Sequence, residues 1–156
     1  MANLITWIDP LWLNEVCPGT EAGKGTTRNN SLLANANKEL DKYLASLGNS
    51  KYKPATAIGA VDPLTGKVVT TSSGTVPTKI APEVQAYADK LGGLGVNTSC
   101  GNVLGACAEF RAANELLLNN SNLKLKDIQF TQTVRPRNGK PEPRCENCTN
   151  VFGVEK

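Results

Sequence analysis

Two short motifs in this chain carry residue types that do chemistry. Cys107, Ala108 and Glu109 read C-A-E, and Cys145 and Cys148 form the C-x-x-C knuckle of "CENC". Such a knuckle offers two thiolates, whereas a protein-bound zinc ion takes three or four protein ligands. The chain has no histidine, and the third ligand is most economically Cys107. Placed in the first turn of a helix, its thiolate would be favoured by the helix dipole and the free N–H groups. Cys145 and Cys148 would supply the other two ligands from the start of a second helix. Three protein ligands leave the fourth tetrahedral position for water, as in catalytic rather than structural zinc sites.

Glu109 lies two residues beyond Cys107, need not bind the metal, and can shuttle a proton of that water. A His or Cys ligand, a non-ligand Glu two residues later and a downstream C-x-x-C form the signature of zinc deaminases. Each part alone is weak. A C-x-E triplet arises by chance, and a lone C-x-x-C also reads as a redox pair or half of a structural zinc knuckle. The odd total of five cysteines argues against a disulfide scaffold. Cys17 and Cys100 read as ordinary thiols.

Several elements must position these residues. "SLLANANKELDKYLASLG" (31–48) has apolar residues at helical spacing, with Ser31 to cap its start and Gly48 its end. "KPATAIGAV" (53–61) and "KVVTTSS" (67–73) read as strands joined by the turn "DPLTG". "APEVQAYADKLGG" (81–93) reads as a helix with Pro82 in its first turn. Residues 106–118 predict the helix that carries Glu109, with Phe110, Ala113, Leu116 and Leu117 on its apolar face. "KDIQFTQTV" (126–134) predicts a strand with Ile128, Phe130, Gln132 and Val134 on one side. "RPRNGKPEP" (135–143) reads as a basic loop, and a short helix follows it. The order implies one α/β domain of layered type.

The 156 residues suit one full-sized core, and the net charge of +3 permits an anionic partner without requiring one. No basic segment precedes a long apolar run at the N-terminus, so no secretory signal is expected. No stretch approaches the roughly 20 apolar residues that span a bilayer. Residues 20–30, "TEAGKGTTRNN", read as a linker, which divides the chain into an N-terminal arm and linker (1–30) and a main domain (31–156).

At C-A-E and C-E-N-C the chain resembles the bacterial toxin branch of the cytidine deaminase-like superfamily, the YwqJ-like deaminases in particular. The resemblance implies a three-layer α/β/α sandwich with zinc between two adjacent helices. It also implies Cys107, Cys145 and Cys148 as ligands and Glu109 as acid and base. The terminal strands of many relatives are missing here, so a small sheet is expected. In the arm, Asp9, Pro10, Leu11, Trp12 and Leu13 resemble the boundary that closes the core of Rhs/YD-repeat proteins before a variable C-terminal toxin. That resemblance implies a secreted effector delivered into a recipient cell's cytoplasm, type VI secretion being one route, and a dedicated immunity protein as partner.

The expected substrate is cytosine in single-stranded nucleic acid, DNA before RNA, because unpaired bases need no extrusion from a duplex. Arg135, Arg137 and Arg144 crowd the loop before the knuckle and are candidates to grip phosphates, though a solvated loop explains them equally well. Ala108 and Asn30 are further candidate substrate contacts, with helix capping the alternative for Asn30. Three other readings stay open: a deaminase of free nucleotides or bases, an adenine deaminase acting on RNA, and a nucleic-acid-binding module with structural zinc.

Overall fold

The computed structural model describes residues 18–49, 51–99 and 101–152. The chain divides into two units, Met1–Ser31 and Leu32–Lys156. Asp9, Pro10, Leu11, Trp12, Leu13, Cys17 and Cys100 lie outside the described residues.

Among the described residues the fold is mixed α/β, with four helices and a small antiparallel sheet. Helix α1 covers Pro18–Ser46, so it includes the segment 20–30 whose composition predicts a linker. Propensity is a weak prior, and extending a helix costs far less than nucleating one. The part beyond Ser31 is anchored by Ala36 and Leu40, both buried and one turn apart. Asn30 is therefore inside a helix, not at the cap of one, and is exposed.

Strand β1 (Ala57–Val61) pairs with β2 (Val68–Ser72), with Val61 opposite Val68 and Ala57 opposite Ser72. Asp62 shapes the turn between them. Its carboxylate accepts hydrogen bonds from Leu64 N at 2.8 Å and Thr65 Oγ1 at 2.9 Å, and Gly66 adopts φ 79° to close the loop. β1 is buried along its whole length. Ile58 and Ala60 belong to the core. On the opposite face, Gly59 lies so close to α1 that an added Cβ would stand 2.9 Å from the Ala36 carbonyl oxygen. Glycine is required there by proximity.

Helix α2 (Pro82–Lys90) starts with proline at its first turn and buries Val84 and Ala88. Helix α3 (Ala108–Asn119) buries Phe110, Ala112, Ala113, Leu116 and Leu117. The side chain of Asn114 ties the two helices: its Oδ1 accepts from Ala81 N at 2.8 Å, and its Nδ2 donates to the Lys79 carbonyl at 2.7 Å. A buried amide satisfied on both sides fixes the approach of one helix to the other.

The expected strand 126–134 is only partly formed. A 3-10 turn covers Leu125–Asp127, and β3 covers Gln129–Phe130, giving the strand order β2-β1-β3. Ala60 pairs with Phe130, but Ala57 pairs with Val134. Three steps along β1 thus face four along its partner, which is a β-bulge. It changes the alternation predicted for this segment. Gln132 is exposed, while Thr131 and Thr133 are buried. Residues 135–143 also differ from the expected loop, because Val134 bridges Pro141 and Glu142 N donates to the Thr133 carbonyl at 2.8 Å. The segment is a tight turn that brings the chain back alongside Thr133. Helix α4 (Glu146–Phe152) follows.

Candidate metal centre and its cavity

Cys107 is the N-cap of α3, one residue earlier than the first-turn position predicted for it. Its backbone is extended (φ −70°, ψ 151°), its side chain makes no capping bond, and its carbonyl accepts from Arg111 N at 3.1 Å. Cys145 has the equivalent place before α4, its carbonyl accepting from Thr149 N at 2.8 Å. Cys148 is buried in the first turn of α4. Two helix starts therefore converge, and their unpaired N–H groups favour negative charge on sulfur.

The three sulfur atoms lie within 4.8 Å of one another, with Cys107 Sγ and Cys145 Sγ 3.4 Å apart. Tetrahedral zinc with Zn–S bonds near 2.3 Å needs sulfurs separated by about 3.8 Å. Three thiols at this spacing fit zinc in donor type and in size. Their protonation is strongly shared. Cys145 is held far below the ordinary thiol value by hydrogen bonds from the Cys107 and Cys148 thiols, with help from the Cys148 and Asn147 backbone N–H groups. The hydrogen bond to Cys145, together with burial, pushes Cys107 up. Cys148 is pushed up by its hydrogen bonds to Cys107 and Cys145 and by burial.

Glu109 is 3% exposed, in the first turn of α3. Burial raises its carboxyl above the ordinary value, partly offset by hydrogen bonds from the Cys148 thiol and the Thr133 hydroxyl. Thr133 Oγ1 donates to Glu109 Oε2 at 3.1 Å. Carboxyls perturbed by burial beside other titratable groups cluster at functional sites.

A cavity of 590 Å³ opens onto Cys107, Cys145, Glu109 and Thr133. Ser73 and Gly74 form part of one wall, and Asn102 and Val103 part of another. No aromatic ring lines it among the described residues. Arg111 on α3 braces the Ser73–Gly74 wall by donating from its guanidinium to the Ser72 carbonyl.

Of the candidate substrate contacts, only Arg135 lines the cavity. Its guanidinium is engaged by Glu142, with Nη2 donating to Oε1 at 2.7 Å and Nε donating to Oε2. Arg144 does not line the cavity. Its guanidinium lies 5.3 Å from the Phe130 ring centroid, a cation–π contact that draws it against the core. Arg137 is exposed in the 135–140 turn and does not line the cavity. Ala108 is fully buried in the core cluster, because the first residue of α3 faces inward. Asn30 is not among the lining residues either.

Sequence reasoning missed Thr133 and Glu142. The bulge hides Thr133 from any period-2 pattern. Glu142 meets Arg135 only through the turn between them, and their opposite charges were the available signal. No family model, curated protein or solved structure matches the chain.

Proposed function

We propose that this protein is a zinc-dependent deaminase that hydrolyses cytosine to uracil in single-stranded nucleic acid, DNA in the first instance. The observation that carries this reading is the buried Glu109 carboxyl beside the three-cysteine cluster, both open to one cavity. A purely structural zinc site is closed by four ligands and has no use for a buried acid facing an open cavity. Cys107, Cys145 and Cys148 would hold the metal, which when bound supplies a Lewis acid that makes water nucleophilic at neutral pH.

The chain's own residues do the rest. Glu109 takes one proton from the attacking water and passes it to the ring nitrogen, and then carries the second water-derived proton to the departing amine. Water and cytosine become uracil and ammonia, with no other reactant. The cavity walls hold one base against Glu109. At 590 Å³ the cavity is within the size range of small-ligand sites, and a base paired inside a duplex cannot enter it. The burial of β1 on both faces, with α1 on one and the α3 core on the other, supports the deaminase-like α/β/α sandwich. In this reading the chain is the toxic portion of a delivered effector, neutralised in its producer by an immunity protein.

The test is incubation of zinc-loaded protein with single-stranded and duplex oligonucleotides, free cytidine and RNA, reading base conversion. Uracil in the single strand, absent with Glu109→Gln, is the expected result. Conversion of adenine or of free cytidine alone would replace the substrate assignment. No conversion of any substrate at one zinc per chain would overturn the reading.

A further inference from the structure

We propose that Thr133 is a positioning residue for Glu109, and that the bulge between β1 and β3 exists to deliver it. The inference rests on the deaminase reading for its catalytic meaning but on geometry alone for the contact itself. Facing residues of an antiparallel pair share a side of the sheet. Phe130, opposite Ala60, packs with the core on the α3 side. Thr131 bonds to Gly59 and shares its α1 side, where its Cγ2 limits the space at Gly59. Had the ladder continued without interruption, Thr133 would face Ala57 and point to the α1 side as well.

The extra residue moves Val134 into register with Ala57. A one-residue slip sends each following side chain to the other face, so Thr133 turns toward α3, where Glu109 lies. The ladder is repaired on both sides of the slip. Thr131 Oγ1 accepts from Gly59 N at 2.9 Å, taking the place of a backbone acceptor, and Val134 exchanges two backbone bonds with Ala57 at 2.9 and 3.0 Å. The returning chain adds a third constraint through Glu142 N, which donates to the Thr133 carbonyl at 2.8 Å. Thr133 is thus fixed from two sides with its hydroxyl on Glu109 Oε2 at 3.1 Å, and both residues are 3% exposed.

A carboxyl that moves protons between water and a leaving amine must keep one orientation through both transfers. Its near neighbours in this site are thiols committed to the metal and the Thr133 hydroxyl. The Thr133 hydroxyl, held by the strand and not by the metal, fixes the carboxyl through Oε2.

Thr133→Val removes the hydroxyl at nearly constant volume, and Thr133→Ser retains it. Zinc content, the ¹³C resonance of the Glu109 carboxyl carbon, and kcat and KM on a single-stranded oligonucleotide would be measured for each. We expect Thr133→Val to shift the Glu109 resonance and lower kcat about 10- to 100-fold, with KM and zinc content nearly unchanged. Thr133→Ser should restore both. If Thr133→Val fails to fold, Thr133→Ala removes the same hydroxyl and serves in its place. An unmoved resonance in the hydroxyl-free variant overturns the contact, and an unchanged kcat overturns the positioning role. If the parent protein deaminates nothing, the functional reading fails while the resonance still decides whether Thr133 holds Glu109.

Discussion

Cys107 Sγ and Cys145 Sγ stand 3.4 Å apart although 38 positions separate them in the chain. Thiols are brought this close by a disulfide, by a metal or by a shared proton, and the third sulfur of Cys148 within 4.8 Å favours the metal. Elemental analysis should therefore find about one zinc per chain. Cys107→Ser and Cys148→Ser should each lower zinc occupancy and melting temperature together, because metal binding contributes directly to folding. Full occupancy in Cys107→Ser would assign the site to other ligands.

Glu109 gives a stability prediction with a definite sign. Its folded pKa is raised above the ordinary 4.5, chiefly by burial. A raised folded value means that its contribution is most favourable below the unfolded pKa and is lost as pH rises through the folded one. Metal-free Glu109→Gln should therefore melt above the metal-free parent at pH 7. That advantage should shrink as pH falls through the raised folded pKa toward 4.5, because the buried parent carboxyl takes up its proton above that value. Thermal melts of both proteins across this range are the check, and a parent that is the more stable at pH 7 would contradict the burial argument.

The contact between β1 and α1 can be tested at a single atom. Gly59→Ala places a Cβ 2.9 Å from the Ala36 carbonyl oxygen and 3.1 Å from Thr131 Cγ2. Backbone cannot swing aside as a side-chain tip can, so the helix must move off the strand. Overpacking of this kind costs about 1–3 kcal/mol. Denaturant titration should show that loss, and a cost near zero would mean that α1 does not rest on β1.

Arg135 and Glu142 make opposite predictions for polyanion binding. Their ion pair at the cavity rim occupies the guanidinium that a phosphate would need. Glu142→Gln should tighten binding of a single-stranded oligonucleotide, and Arg135→Ala should weaken it. The slope of log affinity against log salt should fall by about 0.7 in Arg135→Ala if one phosphate contact is lost. Fluorescence anisotropy over a salt series would measure both, and equal slopes would remove Arg135 from the interface.

The parts of this protein governed by local rules were legible in the sequence. Pro82 marks the start of α2, the "DPLTG" turn joins β1 to β2, and the apolar face of α3 follows its 3.6-residue period. The cysteine cluster was also foreseeable, because ligand chemistry limits which residues can meet. Residues 129–134 were not. Their alternation predicts one regular strand, and the bulge inserts a residue that no propensity records. The surroundings of Arg144 were hidden for a related reason. Its charge suggests a phosphate contact, and the tertiary fold also sets its guanidinium over the Phe130 ring, a neighbour that the local sequence does not announce.

The spacing of the metal ligands also bears on the order in which the molecule is built. The β1–β2 hairpin closes through residues 62–67, whereas the sulfur cluster joins positions 38 residues apart. Closing the longer segment costs more chain entropy, roughly 0.6 kcal/mol for each doubling of length. The hairpin and α3 can form from near neighbours, but the cluster is complete only when α4 docks. A metal held there would stabilise contacts that a folding transition state built on the hairpin and α3 lacks. Interactions of that kind slow unfolding and leave the folding rate almost unchanged. Zinc would then determine how long the folded chain lasts, and have little influence on how quickly it forms.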